Sequence, residues 1–185
     1  MIKKLIPDYY YKSIYDIPYT ELYEKGYRLI LTDLDNTLIS YLEKEPTPEL
    51  FEWKKMVQDM GFEVIIVSNS RKYRVEYFSK LLNLPFVKFA KKPTKLGLKK
   101  ALRIASRKYK KFEVFEIGDQ LMTDVFGSRR LGVLTILVKA IDKKFEVFTT
   151  RINRRLEEFF LNRIKKKLPD LYEKKLAEYV RDKEW

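Results

Sequence analysis

Along the first 140 residues, short apolar runs that close on a polar residue alternate with stretches whose apolar positions recur every three or four places. Arg28–Asp33 is the first run. Leu29, Ile30 and Leu31 lead into Thr32 and a carboxylate, as in a parallel strand buried on both faces. Glu63–Ser68 repeats the pattern, Phe86–Phe89 reads as a short third strand, Glu113–Ile117 as a fourth and Leu134–Val138 as a fifth. Helical stretches lie between them. Thr47 and Pro48 read as an N-cap and a first-turn proline, with Leu50, Trp53, Val57 and Met60 on one face and Gly61 as the stop. Val75, Phe78 and Leu82 mark a second helix. Thr94 caps a third, striped by Leu98, Ala101, Leu102 and Ala105, and Leu121–Leu131 is a fourth, closed by Gly132. This alternation predicts a Rossmann-like three-layer α/β/α sandwich on a mainly parallel sheet, with ligands beyond the carboxyl ends of the strands.

Past Lys139 the pattern turns helical. Ile152, Leu156, Phe159, Phe160 and Ile164 form an apolar stripe flanked by Arg and Lys, Pro169 breaks it, and Tyr172, Leu176, Tyr179 and Val180 predict one shorter terminal helix. Residues 1–140 therefore read as an α/β core with a Tyr-rich N-terminal segment, and 141–185 as a basic amphipathic extension packed on it. The run Tyr9-Tyr10-Tyr11 reads as packing.

Composition narrows the chemistry. The 185 residues include no cysteine and no histidine, which excludes Cys-dependent phosphatases, Ser-His-Asp hydrolases, zinc fingers and disulfide frameworks. Acid–base work falls to carboxylates, Lys or Tyr, and a metal must be held by oxygen, which selects magnesium over zinc or copper. No apolar core follows the basic start, and no run approaches the roughly 18 apolar residues of a membrane span. The expected location is the cytoplasm, with peripheral contact at the cytosolic face of a membrane.

The net charge of +13 is uneven, because Lys88–Lys111 holds eleven Lys or Arg residues and no acid. Lys95, Lys99, Arg103 and Arg107 line the polar face of the third helix. Such a field calls for an anionic partner: a phosphorylated substrate, an acidic lipid surface or, less favoured, nucleic acid.

Asp33, Ser68, Lys92, and the pair Asp119 and Asp124 each fall at or just past the end of a strand, on one rim. Asp33 by its side chain and Asp35 by its main-chain carbonyl can turn toward one metal ion. An arriving phosphoryl group would meet magnesium, the Ser68 hydroxyl, the Lys92 ammonium and the N–H groups of the turn 33–37. Asp33 is then the nucleophile on phosphorus. Asp35 is placed to protonate the leaving oxygen and later to activate water.

These residues resemble the haloacid-dehalogenase-like (HAD) phosphatases, whose four motifs appear in order as Asp33-Leu34-Asp35-Asn36-Thr37, Ser68-Asn69-Ser70, Lys92-Pro93 and Gly118–Asp124. The resemblance implies Asp33 as nucleophile and Asp35 as acid/base. It implies Ser68, Asn69 and Lys92 as phosphate-binding residues, and magnesium at Asp33, Asp35 and Asp119 with support from Asp124. The gaps of 35 residues between Asp33 and Ser68 and 24 between Ser68 and Lys92 leave no room for a cap domain. Leu5–Tyr9, Lys12–Ile17, Thr32–Leu38 and Gly118–Gly127 are similar to the YqeG-type branch over about residues 5–140. That branch implies phosphatidylglycerophosphate as substrate, hydrolysed to phosphatidylglycerol. A soluble phosphomonoester or a nucleic-acid terminal phosphate is the alternative substrate, and a non-catalytic binding protein that retains the fold is the less favoured reading.

Overall fold

The computed structural model describes residues 2–70, 72–142 and 148–183. Its centre is one parallel sheet of six strands: β1 (Tyr9–Tyr11), β2 (Leu29–Thr32), β3 (Glu63–Val67), β4 (Phe86–Val87), β5 (Val114–Gly118) and β6 (Leu134–Val138), in the order β1-β6-β5-β2-β3-β4. Five of these are the strands read from the apolar runs, the third ending two residues early at Val87. β1 was not anticipated. Three tyrosines show no alternation, yet they pair with β6 in the register Tyr9↔Ile136 to Tyr11↔Val138 and close one edge of the sheet.

The pleat divides the core. Ile30, Val64, Ile66, Phe115 and Ile117 face α1 (Tyr19–Glu24), α2 (Pro48–Asp59) and α3 (Lys72–Leu82), while Leu29, Leu31, Ile65, Val67 and Val114 face α4 (Leu96–Ile104) and α5 (Phe126–Leu131). α2 forms as its sequence demands: Thr47 Oγ1 accepts from Leu50 N at 3.3 Å, Pro48 sits in the first turn, and Leu50, Trp53 and Val57 are buried. Gly61, at φ +95°, ends it in the left-handed conformation that glycine adopts freely. Leu50→Ala would cost about 2–5 kcal/mol at so enclosed a position.

Three local readings are corrected. α4 begins at Leu96, with Thr94 Oγ1 accepting from Leu96 N at 3.4 Å, and its Leu102 and Ala105 are only partly buried. The segment Leu121–Leu131 is not one α-helix: residues Leu121–Val125 make a wide π-type turn before α5. The tail divides into α6 (Phe148–Lys167), α7 (Pro169–Lys175) and α8 (Ala177–Asp182), two short helices in place of the single one expected after Pro169.

The phase of α6 also differs. Leu156 and Phe159 are exposed, whereas Glu157, Leu161 and Ile164 are buried against Leu5, Ile6, Leu121, Val125 and Leu137. Glu157 can lie inside because it is fully engaged: Oε2 accepts from Leu121 N at 3.3 Å, Oε1 from Tyr179 OH at 2.6 Å, and Lys183 pairs with it. The tail is thereby bonded to the first residue of the π turn. Ile152 lies outside the residues whose side chains are described. No helix among the described residues is long and apolar enough to cross a membrane.

Candidate active site

The chain runs from β2 out to β4 on one side and returns to β5 and β6 on the other, so the strand order reverses between β2 and β5. Loops leaving such neighbours diverge and open a crevice. Asp33 leaves β2 and Asp119 leaves β5 at that point.

Asp33 is buried, and the turn after it is held by main-chain bonds from Leu38 N and Ile39 N to Leu34 O and by Asn36 at φ +63°, a conformation asparagine tolerates. Lys92 is buried among carboxylates: its Nζ lies 2.8 Å from Asp33 Oδ1, 2.6 Å from Asp124 Oδ1 and 3.8 Å from Glu116 Oε1. The Asp124 contact is a charge contact rather than an aligned hydrogen bond. Asp124 Oδ2 accepts from Gln120 N at 3.0 Å, and Asp119, fully buried, accepts from Thr37 Oγ1 at 3.3 Å. Gly118 permits this packing, since a Cβ there would stand 2.4 Å from Asp124 Cβ and Cγ.

Burial pushes the Asp33 carboxyl up to about 7; Lys92 opposes the rise and Asp124 adds to it. Burial also lifts Glu116 well above the usual carboxylate range, against the pull of Lys92. For Lys92 burial works downward, and Asp124, Asp33 and Glu116 overcome it, so the ammonium stays charged. Three buried carboxylates, Asp33, Glu116 and Asp124, thus surround the single Lys92 ammonium, and Asp119 is buried just past β5. A hard-oxygen set with that surplus of negative charge suits magnesium. Among the described residues no three acidic side chains converge into a complete ligand set, so such an ion would also draw on main-chain oxygen, water and substrate.

Ser68 is buried at the end of β3, its Oγ accepting from Ser70 N at 3.0 Å. The Asn69 side chain bonds to the backbone of Lys92: its Oδ1 accepts from Lys92 N at 2.8 Å and its Nδ2 donates to Lys92 O at 3.0 Å. Asn69 therefore grips the backbone that carries Lys92. Among the described residues Lys92 is the lysine paired with these acids, and Lys91 is exposed.

Sequence reasoning missed Arg74. Its Nε donates to Asp35 Oδ1 at 2.5 Å, its Nη1 to Glu43 O at 2.9 Å and its Nη2 to Ser40 O at 2.8 Å, while the guanidinium lies over the Tyr41 and Phe78 rings. One planar cation ties Asp35 to the loop after β2. No motif flags it, since one arginine in a basic chain carries no signal. Arg74→Ala is expected to lower kcat about 10²-fold by freeing Asp35, and Arg74→Lys not to restore it, because an ammonium cannot span three acceptors in one plane. Steady-state kinetics on a soluble phosphomonoester would decide this, and full activity in the alanine variant would contradict it.

The basic run is also corrected. α4 leads away from the rim, and Ser106 donates to Glu63 at the amino end of β3, so Arg103, Arg107 and Lys108 lie toward the opposite side of the sheet. Lys88 is paired with Glu76 and Arg107 with Glu113. Of that segment, Lys92 is the residue seen in contact with the site's acids.

Fold and motif order together define a phosphatase of the HAD type, built without a cap among the described residues: α2 alone fills the span from β2 to β3, and α3 with β4 the span from Ser68 to Lys92. The family model described as mitochondrial PGP phosphatase matches residues 2–141, and the chain belongs to that family. It is 40% identical over 168 residues to the probable phosphatase YqeG of Bacillus subtilis (strain 168), covering 90% of this chain and 96% of that one, so the likeness reaches past residue 140. Among solved structures, an uncharacterized protein from Listeria monocytogenes serotype 4b has a TM-score of 0.51 at 15% identity, over 71% of this chain and 97% of that one. A haloacid dehalogenase-like hydrolase from Brucella suis 1330 has a TM-score of 0.49 at 12% identity, over 68% and 93%.

Proposed function

We propose that this phosphatase removes the terminal phosphate of phosphatidylglycerophosphate at an anionic membrane surface, through an aspartyl-phosphate on Asp33 and with magnesium as cofactor. The observation that carries the lipid reading is the surface around the crevice. Six large apolar side chains, Tyr15, Leu42, Tyr73, Phe89, Leu96 and Ile141, follow the carboxyl ends of five different strands and are from 50% (Tyr15) to 82% (Tyr73) exposed. Phe89 is held outward at φ +48°, a conformation that costs a bulky residue about 1–2 kcal/mol. Lys12 and Lys139 line one cavity with Tyr15 and Ile141, Lys44 lines another with Tyr73, and Lys91 and Lys95 flank Phe89 and Leu96 in sequence. Apolar tips interspersed with lysines suit the boundary of an acidic bilayer, where each lysine contributes up to about 1 kcal/mol.

In the proposed reaction Asp33 forms a bond to phosphorus as the bond to the leaving alkoxide breaks, and Asp35 supplies that oxygen's proton. Water then attacks the acyl phosphate with Asp35 taking its proton, releasing orthophosphate and restoring Asp33. Lys92 and Ser68 hold the phosphoryl oxygens. Bound magnesium, held by Asp33, Asp119 and the Asp35 carbonyl with Asp124 behind, would neutralise charge on those oxygens.

The test uses phosphatidylglycerophosphate in phosphatidylglycerol vesicles. Orthophosphate release is expected with magnesium, its loss with EDTA, and its recovery on readdition of the ion. Turnover of p-nitrophenyl phosphate with no hydrolysis of the vesicle substrate at any salt concentration would sink the lipid reading.

A further inference from the structure

β1 and β6 are neighbours, with Tyr11 opposite Val138, so Lys12 and Lys139 are the next pair beyond their carboxyl ends; Lys139 N donates to Tyr11 O at 3.2 Å. Both lysines line a cavity of about 420 Å³ whose walls are residues 12–15, 37–40 and 139–141, with Glu43 and Thr47. Its floor is apolar, with Ile14, Leu38 and Ile39 buried. Its inner wall is Thr37, the residue that donates to Asp119. The cavity is therefore continuous with the catalytic turn.

Its charge is not neutralised from within. Among the described residues neither Lys12 nor Lys139 has an ion-pair partner, and Glu43 is the single acid in the lining. Two ammonium groups lining one cavity repel one another, and a shared anion relieves that repulsion. Distance limits what the anion can be. β6 lies two strands from β2 and β1 three, which at about 4.8 Å per strand sets the lysine backbones roughly 10 and 14 Å to the side of Asp33. A lysine arm recovers about half of the nearer separation, leaving a gap that a bridge of a few atoms spans.

We infer that this cavity is a leaving-group subsite in which Lys12 and Lys139 bind a second, non-reacting phosphate of the substrate while the first is attacked at Asp33. The chemical class is a phosphomonoester whose alcohol carries a further phosphate across a three-carbon bridge. The inference rests on the lipid reading only for the identity of that alcohol: phosphatidylglycerophosphate has this form, and so does a soluble glycerol bisphosphate. The apolar floor then meets the carbon bridge, and the two cations select against esters with one phosphate.

The experiment compares a short-chain phosphatidylglycerophosphate, kept monomeric so that no vesicle is involved, with p-nitrophenyl phosphate. Lys12→Gln and Lys139→Gln are each expected to lower the ratio of kcat/KM between the first and second substrates about tenfold, chiefly through KM, the factor lost with one charge-assisted hydrogen bond. Lys139→Arg should keep most of the ratio, which separates charge from packing. An unchanged ratio, or equal loss on both substrates, overturns the subsite while leaving the lipid reading standing. A second arm measures competition by glycerophosphoglycerol against p-nitrophenyl phosphate. If the wild type turns over no phosphatidylglycerophosphate yet is inhibited, and inhibition weakens about tenfold in the Gln variants, the subsite stands and the lipid reading falls. Absence of competition in the wild type overturns the subsite.

Discussion

Asp33→Asn is expected to stop phosphate release from every substrate, by at least about 10⁴-fold in kcat, while the protein stays folded. An amide matches the carboxylate in shape but is no nucleophile toward phosphorus. The fold should not suffer, because Lys92 keeps Asp124 at 2.6 Å and Glu116 at 3.8 Å. Burial already lifts Asp33 to about 7, so its ionised form is held at a cost at alkaline pH, and the neutral amide removes that cost. The expected pair of results is therefore a lost activity and a melting temperature equal to or above that of the wild type. Equal rates in the two proteins would remove Asp33 from the reaction.

Lys92→Met is expected to damage stability as well as activity, with a pH dependence of defined sign. The ammonium is the only cation in contact with Asp33, Asp124 and Glu116 among the described residues, and removing one partner of such a cluster leaves buried charge uncompensated, at about 3–5 kcal/mol. In the wild type Lys92 opposes the rise that burial imposes on Asp33 and Glu116; without it both rise further. A carboxyl whose folded pKa exceeds its unfolded value of about 4 favours the fold while protonated, and that contribution disappears as pH climbs through the folded value. The deficit of the variant should thus be small near pH 5, begin to grow at about pH 7 where the wild-type Asp33 ionises, and approach its full size only at a higher pH, about 9, because the variant's carboxyls ionise later. Denaturant titrations in EDTA at these pH values measure it. A deficit independent of pH would assign the loss to packing instead.

The candidate rim was legible because Asp33, Ser68 and Asp119 each follow a strand whose apolar run is unambiguous. Asp33 after Leu29–Thr32, Ser68 after Glu63–Val67 and Asp119 after Val114–Gly118 needed only the period of the chain and the rule that loops at the carboxyl edge carry function. The motif gave no sign that the Asn69 amide joins both backbone groups of Lys92, a bond between residues 23 apart that no local pattern encodes. Arg74 escaped for the same reason: its meaning lies in contacts with residues 31 to 39 positions away. β1 was missed because three tyrosines have no alternation to read, and it is a strand through its pairing with β6.

The tail shows where periodicity misleads. Its apolar residues can be laid on a helix in more than one phase, and Leu156 and Phe159 appeared to belong inside. The buried phase includes Glu157, which only partners distant in sequence, Leu121 N, Tyr179 and Lys183, make tolerable in the interior.

The sequence by itself determined the alternation of strands and helices, the parallel sheet, and the four segments at its carboxyl edge. Those follow from local periods and from acids and hydroxyls at the ends of apolar runs. Only the tertiary structure decided which lysine meets the acids, what anchors Asp35, that the basic face of α4 runs away from the crevice, and that Lys12 and Lys139 line one cavity to its side. These are facts of distance between segments far apart in the chain, and electrostatic and hydrogen-bond energies depend on that distance and on burial rather than on position along the sequence.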